Sequence, residues 1–330
     1  MGTIRNFILA MNFDKAEQKK GVILSIVVPL FNEESNVKPL VHELVSVADG
    51  LQVPYEIILV DDGSSDATWD RIKEVAADGA CVIGISLLRN FGHQHALLAG
   101  LTYSHGQAIL SMDGDLQHPP RLIPDLFEAW RSGYIVVNTM RRNGEAVGLF
   151  KRLTSRYFYK VFSSLSEVEI SEGSSDFRLL DRCVVEALLG LRDTELFIRG
   201  AVQWLGFPST TIAFDAGKRF SGTSKYGLRK MVKFASDAIV SFSTKPLRIS
   251  IWLGFITSFL AFLEIIYVLL QYSRGETVSG WASTVGILSL LFGVLFIILG
   301  VIGSYLAWIH QALQNRPKFI IREITNLHRS

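Results

Sequence analysis

The sequence predicts an α/β domain with a mostly parallel sheet and helices on both faces, followed by a C-terminal hairpin of two transmembrane helices. Three observations lead to this prediction. Short β-branched segments alternate with amphipathic helical patterns in the first part of the chain, as is typical of parallel strands joined by helices. Polar clusters follow three of these segments. Toward the end of the chain, two apolar stretches exceed about 20 residues, enough to cross a bilayer.

Four buried strands are predicted from apolar segments at residues 23–30, 55–60, 81–87 and 108–110. Amphipathic patterns predict helices after the first three strands, over residues 37–47 and 68–77 and up to residue 103. Asp66 is the expected N-cap of the second helix. Beyond the fourth strand, the pattern predicts a helix, a strand, two further helical segments and a last strand, at residues 125–132, 134–139, 151–165, 182–190 and 209–214.

Composition narrows the class of protein. The chain has 330 residues, of which 49% are hydrophobic, and a net charge of only +2, so nothing favours a nucleic-acid partner. Cys81 and Cys183 are its only cysteines and lie in apolar segments, which indicates reduced core thiols rather than a disulfide framework. No small-residue cleavage site follows the apolar start of the chain, so a secretory signal peptide is not expected.

The fourth strand leads into a short acidic segment. Asp113 and Asp115 are separated by Gly114, and side chains alternate along an extended chain, so both carboxylates can point the same way. Such a pair suits a hard cation, Mg²⁺ or Mn²⁺, with substrate phosphates completing the coordination. A solvated turn is the alternative interpretation. The cation site is favoured because Asn32-Glu33 and Asp61-Asp62 also follow predicted strands, and parallel sheets bind ligands at those ends.

The chain divides into segments of different character. We expect a leader at residues 1–21, a soluble domain at 22–224, basic amphipathic interfacial helices at 225–248, spans at 249–272 and 281–310, a connector at 273–280 and a tail at 311–330. Lys and Arg flank both spans, including Arg316, Lys318, Arg322 and Arg329. The positive-inside rule therefore places the soluble domain and both termini in the cytoplasm, and the connector outside.

Two features of the spans bear on partners. Glu264 lies within the first span, either protonated against the neighbouring helix or with a role in a substrate path or oligomer. Gly293, Gly300 and Gly303 permit close helix packing, so a homo-oligomer formed through the spans is one interpretation.

The ordered motifs resemble a known family. They are Val27-Val28-Pro29-Leu30-Phe31-Asn32-Glu33, Val60-Asp61-Asp62-Gly63-Ser64-Ser65-Asp66, Asn90-Phe91-Gly92, Asp113 to Pro120, Ser175-Asp176-Phe177-Arg178-Leu179, and Arg219 to Tyr226. Residues 22–325 thereby resemble inverting GT-A-fold polyprenyl-phosphate glycosyltransferases, relatives of dolichol-phosphate mannose synthase. With two C-terminal spans, the chain is most similar to bacterial GtrB-type undecaprenyl-phosphate glucosyltransferases. One departure is Ala216, which stands where relatives often carry another basic residue.

The resemblance implies a reaction and a set of site residues. The reaction moves glucose from UDP-glucose to undecaprenyl phosphate, with inversion, at the inner membrane. Pro29, Asn32, Glu33, Asp61, Asp62 and Asp113 would line the nucleotide pocket. Asp113, Asp115 and Gln117 would hold Mg²⁺ or Mn²⁺, with Asp115 also counted as catalytic. Asp176, Arg178, Arg199, Arg219 and Lys225 would surround the acceptor phosphate, with Asp176 and Arg178 also counted as catalytic.

The chemistry leaves the role of four of these residues open. The second pKa of a monophosphate is about 6, so a lipid phosphate is already mostly anionic at neutral pH. Asp176 is therefore either the base that the resemblance suggests or a group that orients Arg178 or the sugar. Arg178 could instead form a structural salt bridge. Arg219 and Lys225 could instead simply attract anionic lipid headgroups.

Other functions make different predictions. The same reaction could use GDP-mannose or a UDP-N-acetyl sugar. A polysaccharide synthase of the same fold would carry a Gln/Arg-x-x-Arg-Trp motif and more spans, whereas Ile198 to Trp204 does not fit that motif. A non-catalytic membrane module would bind a nucleotide sugar without metal dependence or turnover. A zinc site at His93, His95 and His118 is not expected, because the spacing is wrong and no cysteine joins them.

Overall fold

The computed structural model describes residues 21–79, 81–141, 174–191, 198–214, 245–274, 280–314 and 316–326. The chain separates into two units, each described here by itself. The first comprises Met1–Tyr159, Val168–Lys225 and Arg316–Ser330, and the second comprises Lys160–Glu167 and Tyr226–Asn315.

A mixed sheet forms the centre of the first unit. Its strands are β1 (Leu24–Leu30), β2 (Tyr55–Asp61), β3 (Val82–Leu87), β4 (Ala108–Ser111), β5 (Val136–Arg141), β6 (Ser174–Asp181), β7 (Ser209–Phe214) and β8 (Ile321–Thr325). Among the described residues the order is β7-β5-β6-β4-β1-β2-β3-β8. β1 to β4 are mutually parallel, β6 is antiparallel to β4 and β5, and β8 is antiparallel to β3. The predicted mostly parallel α/β architecture is confirmed.

Helices cover both faces of this sheet because its central strands are apolar on both sides. The helices are α1 (Val37–Gly50), α2 (Thr68–Asp78), α3 (His93–Thr102), α4 (Ile123–Arg131), α5 (Arg182–Leu189) and α6 (Ile198–Trp204). In β1, Ile26 and Val28 pack with α1, α2 and α4, whereas Val27 packs with α3, α5 and α6. Burial on both faces explains why β1 is a continuous apolar segment rather than an alternating one.

The start of α2 differs slightly from the prediction. Ala67 occupies the N-cap position, one residue after the predicted Asp66. The Asp66 carboxylate nevertheless accepts a hydrogen bond from the Thr68 backbone N–H at 3.0 Å. The predicted capping interaction therefore forms, although its residue lies just before the cap.

Three elements of the sheet and its cover were not predicted from the sequence. β6 contains Asp176 and Arg178, which interrupt the apolar pattern of a buried strand. α6 has only seven residues. β8 lies beyond the second apolar stretch, so residues 311–330 are not simply a tail: Ile321–Thr325 returns to the sheet as its edge strand.

The second unit contains two long apolar helices, α7 (Lys245–Ser273) and α8 (Trp281–Leu313). Within them, Leu247–Glu264 and Gly286–Gln311 are long and apolar enough to cross a membrane. Helix α7 begins at Lys245, so no helix end separates the predicted interfacial segment from the first span at residue 248. The rest of that segment, residues 225–244, lies outside the described residues, as do most of the leader and the predicted helical region at 151–165.

Candidate active site

Polar side chains from several elements meet at the carboxyl edge of β4. Ser111, the last residue of β4, pairs with Arg178 of the antiparallel strand β6. Continuing this register places Asp113 opposite Asp176. The acidic segment after β4 and the polar residues inside β6 are therefore brought together by strand pairing, although they are 63 residues apart in sequence (176 − 113).

Asp176 is held by a guanidinium from α6. Arg199 donates from Nε to Asp176 Oδ1 at 2.6 Å and from a terminal nitrogen to Oδ2 at 2.8 Å, a bidentate geometry that is strong and directional. Asp176 is 4% exposed. Burial raises the pKa of Asp176, but hydrogen bonds from Arg199 and His93 and the charges of Arg199 and Arg178 hold it well below its usual range. Asp176 is thus an ionised carboxylate committed to a charge pair.

A histidine at the start of α3 joins the two carboxylates. His93 Nε2 lies 3.4 Å from Asp113 Oδ1 and 3.4 Å from Asp176 Oδ2. One ligand atom from each of these three residues lies within 4.8 Å of the others, a spacing that could hold a metal ion. Burial lowers the pKa of His93, but the two carboxylates more than offset this and raise it above its ordinary value.

The surroundings of Asp113 fit a cation. Its Oδ1 atom is buried and makes no hydrogen bond among the described residues, although His93 Nε2 lies 3.4 Å away, and a buried oxygen without a hydrogen bond can accept a water or an ion. Asp115, by contrast, accepts from the Gln117 backbone N–H at 3.1 Å, and Gln117 Oε1 lies 3.4 Å from an Arg141 nitrogen. Of the predicted ligands, only Asp113 belongs to the His93 cluster.

His118 supports the turn that carries Asp113. Its Nδ1 accepts from the Asp113 backbone N–H at 3.0 Å, so the proton of the neutral ring is on Nε2, 2.8 Å from Ser175 Oγ. Burial lowers the pKa of His118, which favours that neutral form, and its ring stacks on Phe177. The imidazole therefore links the turn after β4 to the start of β6.

Gln94 also lies in the site, although it was not singled out from the sequence. Its Nε2 lies 3.4 Å from Asp176 Oδ2, and its Oε1 accepts from the Ile198 backbone N–H at 3.2 Å. It thereby connects α3, Asp176 and the start of α6. The adjacent motif Asn90-Phe91-Gly92 was the available signal that polar residues at the start of α3 face the site.

Asp61 and Asp62 end β2 at the same edge, but both support neighbouring loops. Asp61 is fully buried and accepts from the Ser64 backbone N–H at 3.0 Å. Asp62 accepts from the backbone N–H groups of Phe91 at 2.8 Å and Gly92 at 3.0 Å. Burial raises the pKa of Asp62 and outweighs these hydrogen bonds.

The predicted residues after β1 are connected to the loop that follows β2. Asn32 has a left-handed backbone, with φ of 55°, and its Oδ1 accepts from the Ser65 backbone N–H at 2.9 Å. Glu33 accepts from Asn36 Nδ2 at 2.5 Å. Pro29 is buried within β1. These contacts fix the shape of the edge next to Asp61.

Arg178 points into the same region from inside the sheet. It is 2% exposed, donates to the Ser175 carbonyl at 2.9 Å, and lies 3.7 Å from Asp176 Oδ1. Its Nε has no hydrogen-bond partner among the described residues, and burial lowers its pKa to about 10. A cavity of about 300 Å³ adjoins it, and its polar lining includes Asn138, Arg178, Arg199, Gln203, Ser209 and Thr211.

Arg219, Lys225 and Ala216 lie outside the described residues.

The fold and this site define a GT-A-fold glycosyltransferase: a mostly parallel sheet with an Asp-x-Asp turn and a third acidic residue, Asp176, at its carboxyl edge. The sequence profile of glycosyl transferase family 2 matches residues 25–189. This chain belongs to that family.

Similar proteins cover nearly the whole chain. A glycosyltransferase of Synechocystis sp. is 38% identical over 305 residues, covering 92% of this chain and 96% of the relative. The bactoprenol glucosyl transferase from the SfII prophage of Shigella flexneri is 36% identical over 303 residues, covering 91% of this chain and 97% of the relative. Among solved structures, glucosyl-3-phosphoglycerate synthase from Mycobacterium tuberculosis has a TM-score of 0.45 at 22% identity, covering 68% of this chain and 80% of the other.

Proposed function

We propose that this protein transfers glucose from UDP-glucose to a polyprenyl phosphate, with inversion at the sugar carbon. The observation that carries the proposal is the joining of Asp113, His93 and the Asp176–Arg199 pair at the carboxyl edge of a family 2 domain. The chain also aligns over 91% of its length with a protein named a bactoprenol glucosyl transferase. Its two apolar helices suit a lipid acceptor.

We propose that Asp113 and Asp115, with Gln117, hold Mg²⁺ or Mn²⁺. The unsatisfied Asp113 Oδ1 supports this assignment, and carboxylate oxygens are the ligands that these cations prefer. The bound cation would neutralise the diphosphate as it leaves. Within the chain, His118 holds the backbone of Asp113 and so fixes where that carboxylate meets the diphosphate.

Asp176 is better suited to orient groups than to accept a proton. Its pKa is held well below the usual range by Arg199 and His93, so it is a weak base at neutral pH. A lipid monophosphate, with a second pKa of about 6, is already a nucleophilic anion and needs little deprotonation. In this proposal, Asp176 fixes the guanidinium of Arg199 and the imidazole of His93 beside the reacting sugar.

Cationic groups would bind the acceptor. Arg199 is 34% exposed at its side chain and borders the 300 Å³ cavity together with Arg178. A fixed guanidinium binds phosphate oxygens through directed hydrogen bonds and so aligns the nucleophile with the sugar carbon. Arg219 and Lys225 complete the acceptor site in this proposal.

The membrane arrangement follows from the same reaction. Helices α7 and α8 would cross the inner membrane, with the catalytic domain and both termini in the cytoplasm. The phosphate of a polyprenyl lipid lies at the membrane surface, where a catalytic domain in the same chain can reach it.

The test is product formation by the full chain in detergent. Radiolabelled UDP-glucose and undecaprenyl phosphate should give a labelled glucolipid with Mg²⁺ or Mn²⁺, and EDTA should abolish it. GDP-mannose and UDP-N-acetylglucosamine are run in parallel. If only one of these two donors gives a product, the proposed mechanism stands but the transferred sugar is not glucose. Absence of lipid product with every donor would contradict the proposed function.

A further inference from the structure

The C-terminal strand β8 contains a β-bulge next to the proposed nucleotide pocket. Leu87 pairs with Ile321 and Ser86 pairs with Glu323, so Arg322 is the additional residue on the edge strand. A bulge leaves its extra residue outside the ladder and redirects its side chain, and bulges are frequent beside active sites. The position of Arg322 is therefore set by the irregular pairing of β8 with β3.

The redirected side chain reaches across β3 toward β2. A terminal nitrogen of Arg322 donates to Ser86 Oγ at 2.7 Å and lies 3.8 Å from Asp61 Oδ2. Ser86 Oγ in turn donates to Asp61 Oδ2 at 3.1 Å. The guanidinium is thus anchored to a buried carboxylate directly and through one hydroxyl group.

Exposure separates the two charged groups of this network. The Asp61 side chain is 0% exposed, whereas the Arg322 side chain is 46% exposed. A ligand arriving at the carboxyl ends of β2 and β3 would therefore meet the guanidinium before it could meet the carboxylate. A guanidinium carries five N–H donors, and the contacts of one terminal nitrogen with Ser86 and Asp61 do not use all of them.

We propose that Arg322 is a nucleotide-binding residue, whose N–H groups donate to oxygen atoms of a nucleoside diphosphate and whose orientation is fixed by Asp61 and Ser86. The inference rests on the proposed function, because it needs a nucleotide sugar at this edge. Strand β8, which follows the second apolar helix, would then contribute to binding of the donor nucleotide. A general attraction of Arg322 to membrane lipids is the competing explanation.

The experiment measures UDP binding to the full chain in detergent, by calorimetry, for the wild type and three variants. Arg322→Ala should weaken UDP binding about tenfold or more, as expected for loss of a hydrogen bond to a charged group. Arg322→Lys keeps the charge but not the planar donor set, and should restore only part of the affinity. Glu323→Ala is the matched control, because Glu323 is adjacent on β8 but accepts from Trp69 Nε1 on α2 at 3.1 Å.

Steady-state kinetics provides a readout that a purely structural role would not change. Arg322→Ala should raise the KM for the nucleotide sugar about tenfold and leave the KM for the polyprenyl phosphate unchanged, with a Tm close to that of the wild type. A raised KM for the lipid instead would favour the membrane explanation and overturn the inference.

The outcomes separate this inference from the proposed function. If the wild type binds UDP and Arg322→Ala binds it equally well, the inference is wrong and the function stands. If Glu323→Ala weakens binding as much as Arg322→Ala, integrity of the strand rather than the guanidinium is responsible, and the inference is again overturned. If the wild type binds no nucleotide and forms no product, both proposals fail.

Discussion

Two clusters of carboxylate and imidazole groups lie at opposite edges of the same sheet. At the amino edge, Glu56 accepts from Ser25 Oγ at 2.6 Å and from the His105 backbone N–H at 2.6 Å, and its second oxygen lies 3.3 Å from His105 Nδ1. At the carboxyl edge, Asp113 and Asp176 lie beside His93. Each cluster combines carboxylate and imidazole, but their hydrogen bonding differs.

The two clusters differ in whether all of their buried polar atoms form hydrogen bonds. Both Glu56 oxygens have partners, and the Ser25 hydroxyl also accepts from the Gly106 backbone N–H at 2.7 Å, so the amino-edge cluster is closed. At the carboxyl edge, Asp113 Oδ1 and Arg178 Nε have no hydrogen-bond partner among the described residues. A satisfied buried network fixes a loop, whereas buried polar atoms without partners indicate a place for a ligand or ion. The comparison predicts function at one edge and stability at the other.

The largest expected effect is loss of activity in Asp113→Asn. Removing the carboxylate charge at the unsatisfied oxygen should lower glucolipid formation ~100-fold or more, as losses of preorganised electrostatic groups do. Activity of purified protein at saturating Mn²⁺ is the measurement. Glu56→Gln is the control and should stay within about threefold of the wild type, because Glu56 contacts Ser25 and His105 at the amino edge and distant sites usually act independently. Comparable losses in the two variants would remove the distinction between the edges.

A second prediction concerns whether Asp176 acts through Arg199. Asp176→Asn and Arg199→Gln should each lower kcat about tenfold or more. The kcat of the double variant should be no lower than that of the less active single variant, because the effects of residues that act as a unit are strongly non-additive. The test is to measure kcat and KM for the three variants and the wild type. Multiplied losses in the double variant would show independent roles and would favour Asp176 as a base.

A third prediction addresses stability at the amino edge. Glu56→Gln removes the negative charge and replaces one of the two accepting oxygens in contact with Ser25 and His105 by an NH2 donor, and should lower the free energy of unfolding by about 1–3 kcal/mol. The measurement is thermal unfolding of the full chain in detergent. An unchanged Tm would mean that the closed cluster contributes nothing measurable to folding.

The smallest expected effect is on the pH dependence of stability. Burial raises the pKa of Glu56, but hydrogen bonds from His105 and Ser25 lower it more, so the net pKa is below its ordinary value. The folded state therefore binds fewer protons than the unfolded chain. The resulting stability is present above the unfolded pKa, about 4.3, and is lost as the pH falls through the folded pKa. Tm measured from about pH 6 down to about pH 3, across the unfolded pKa, should fall less steeply for Glu56→Gln, and parallel curves would contradict this account.

Sequence patterns predicted the central sheet because β1 to β4 are apolar segments with turn residues at their ends. They also located Asp113 and Asp176, whose motifs are distinctive. They did not show that the pairing of β4 with β6 brings Asp176 close to Asp113, because β6 carries polar residues that break the strand pattern. The contributions of His93 and Gln94 were missed for a related reason: isolated polar residues at the start of a helix usually indicate a solvated end. The position of Arg322 depends on a bulge between strands far apart in sequence, which no local pattern encodes.

The central claim is that the carboxyl edge binds a divalent cation together with the nucleotide, whereas the amino edge does not. Its most direct test is Mn²⁺ binding in the presence of UDP, measured by electron paramagnetic resonance on the wild type, Asp113→Asn and Glu56→Gln. The account predicts one bound Mn²⁺ in the wild type and in Glu56→Gln, and affinity lowered at least tenfold in Asp113→Asn. Undiminished Mn²⁺ binding by a folded Asp113→Asn protein would contradict it.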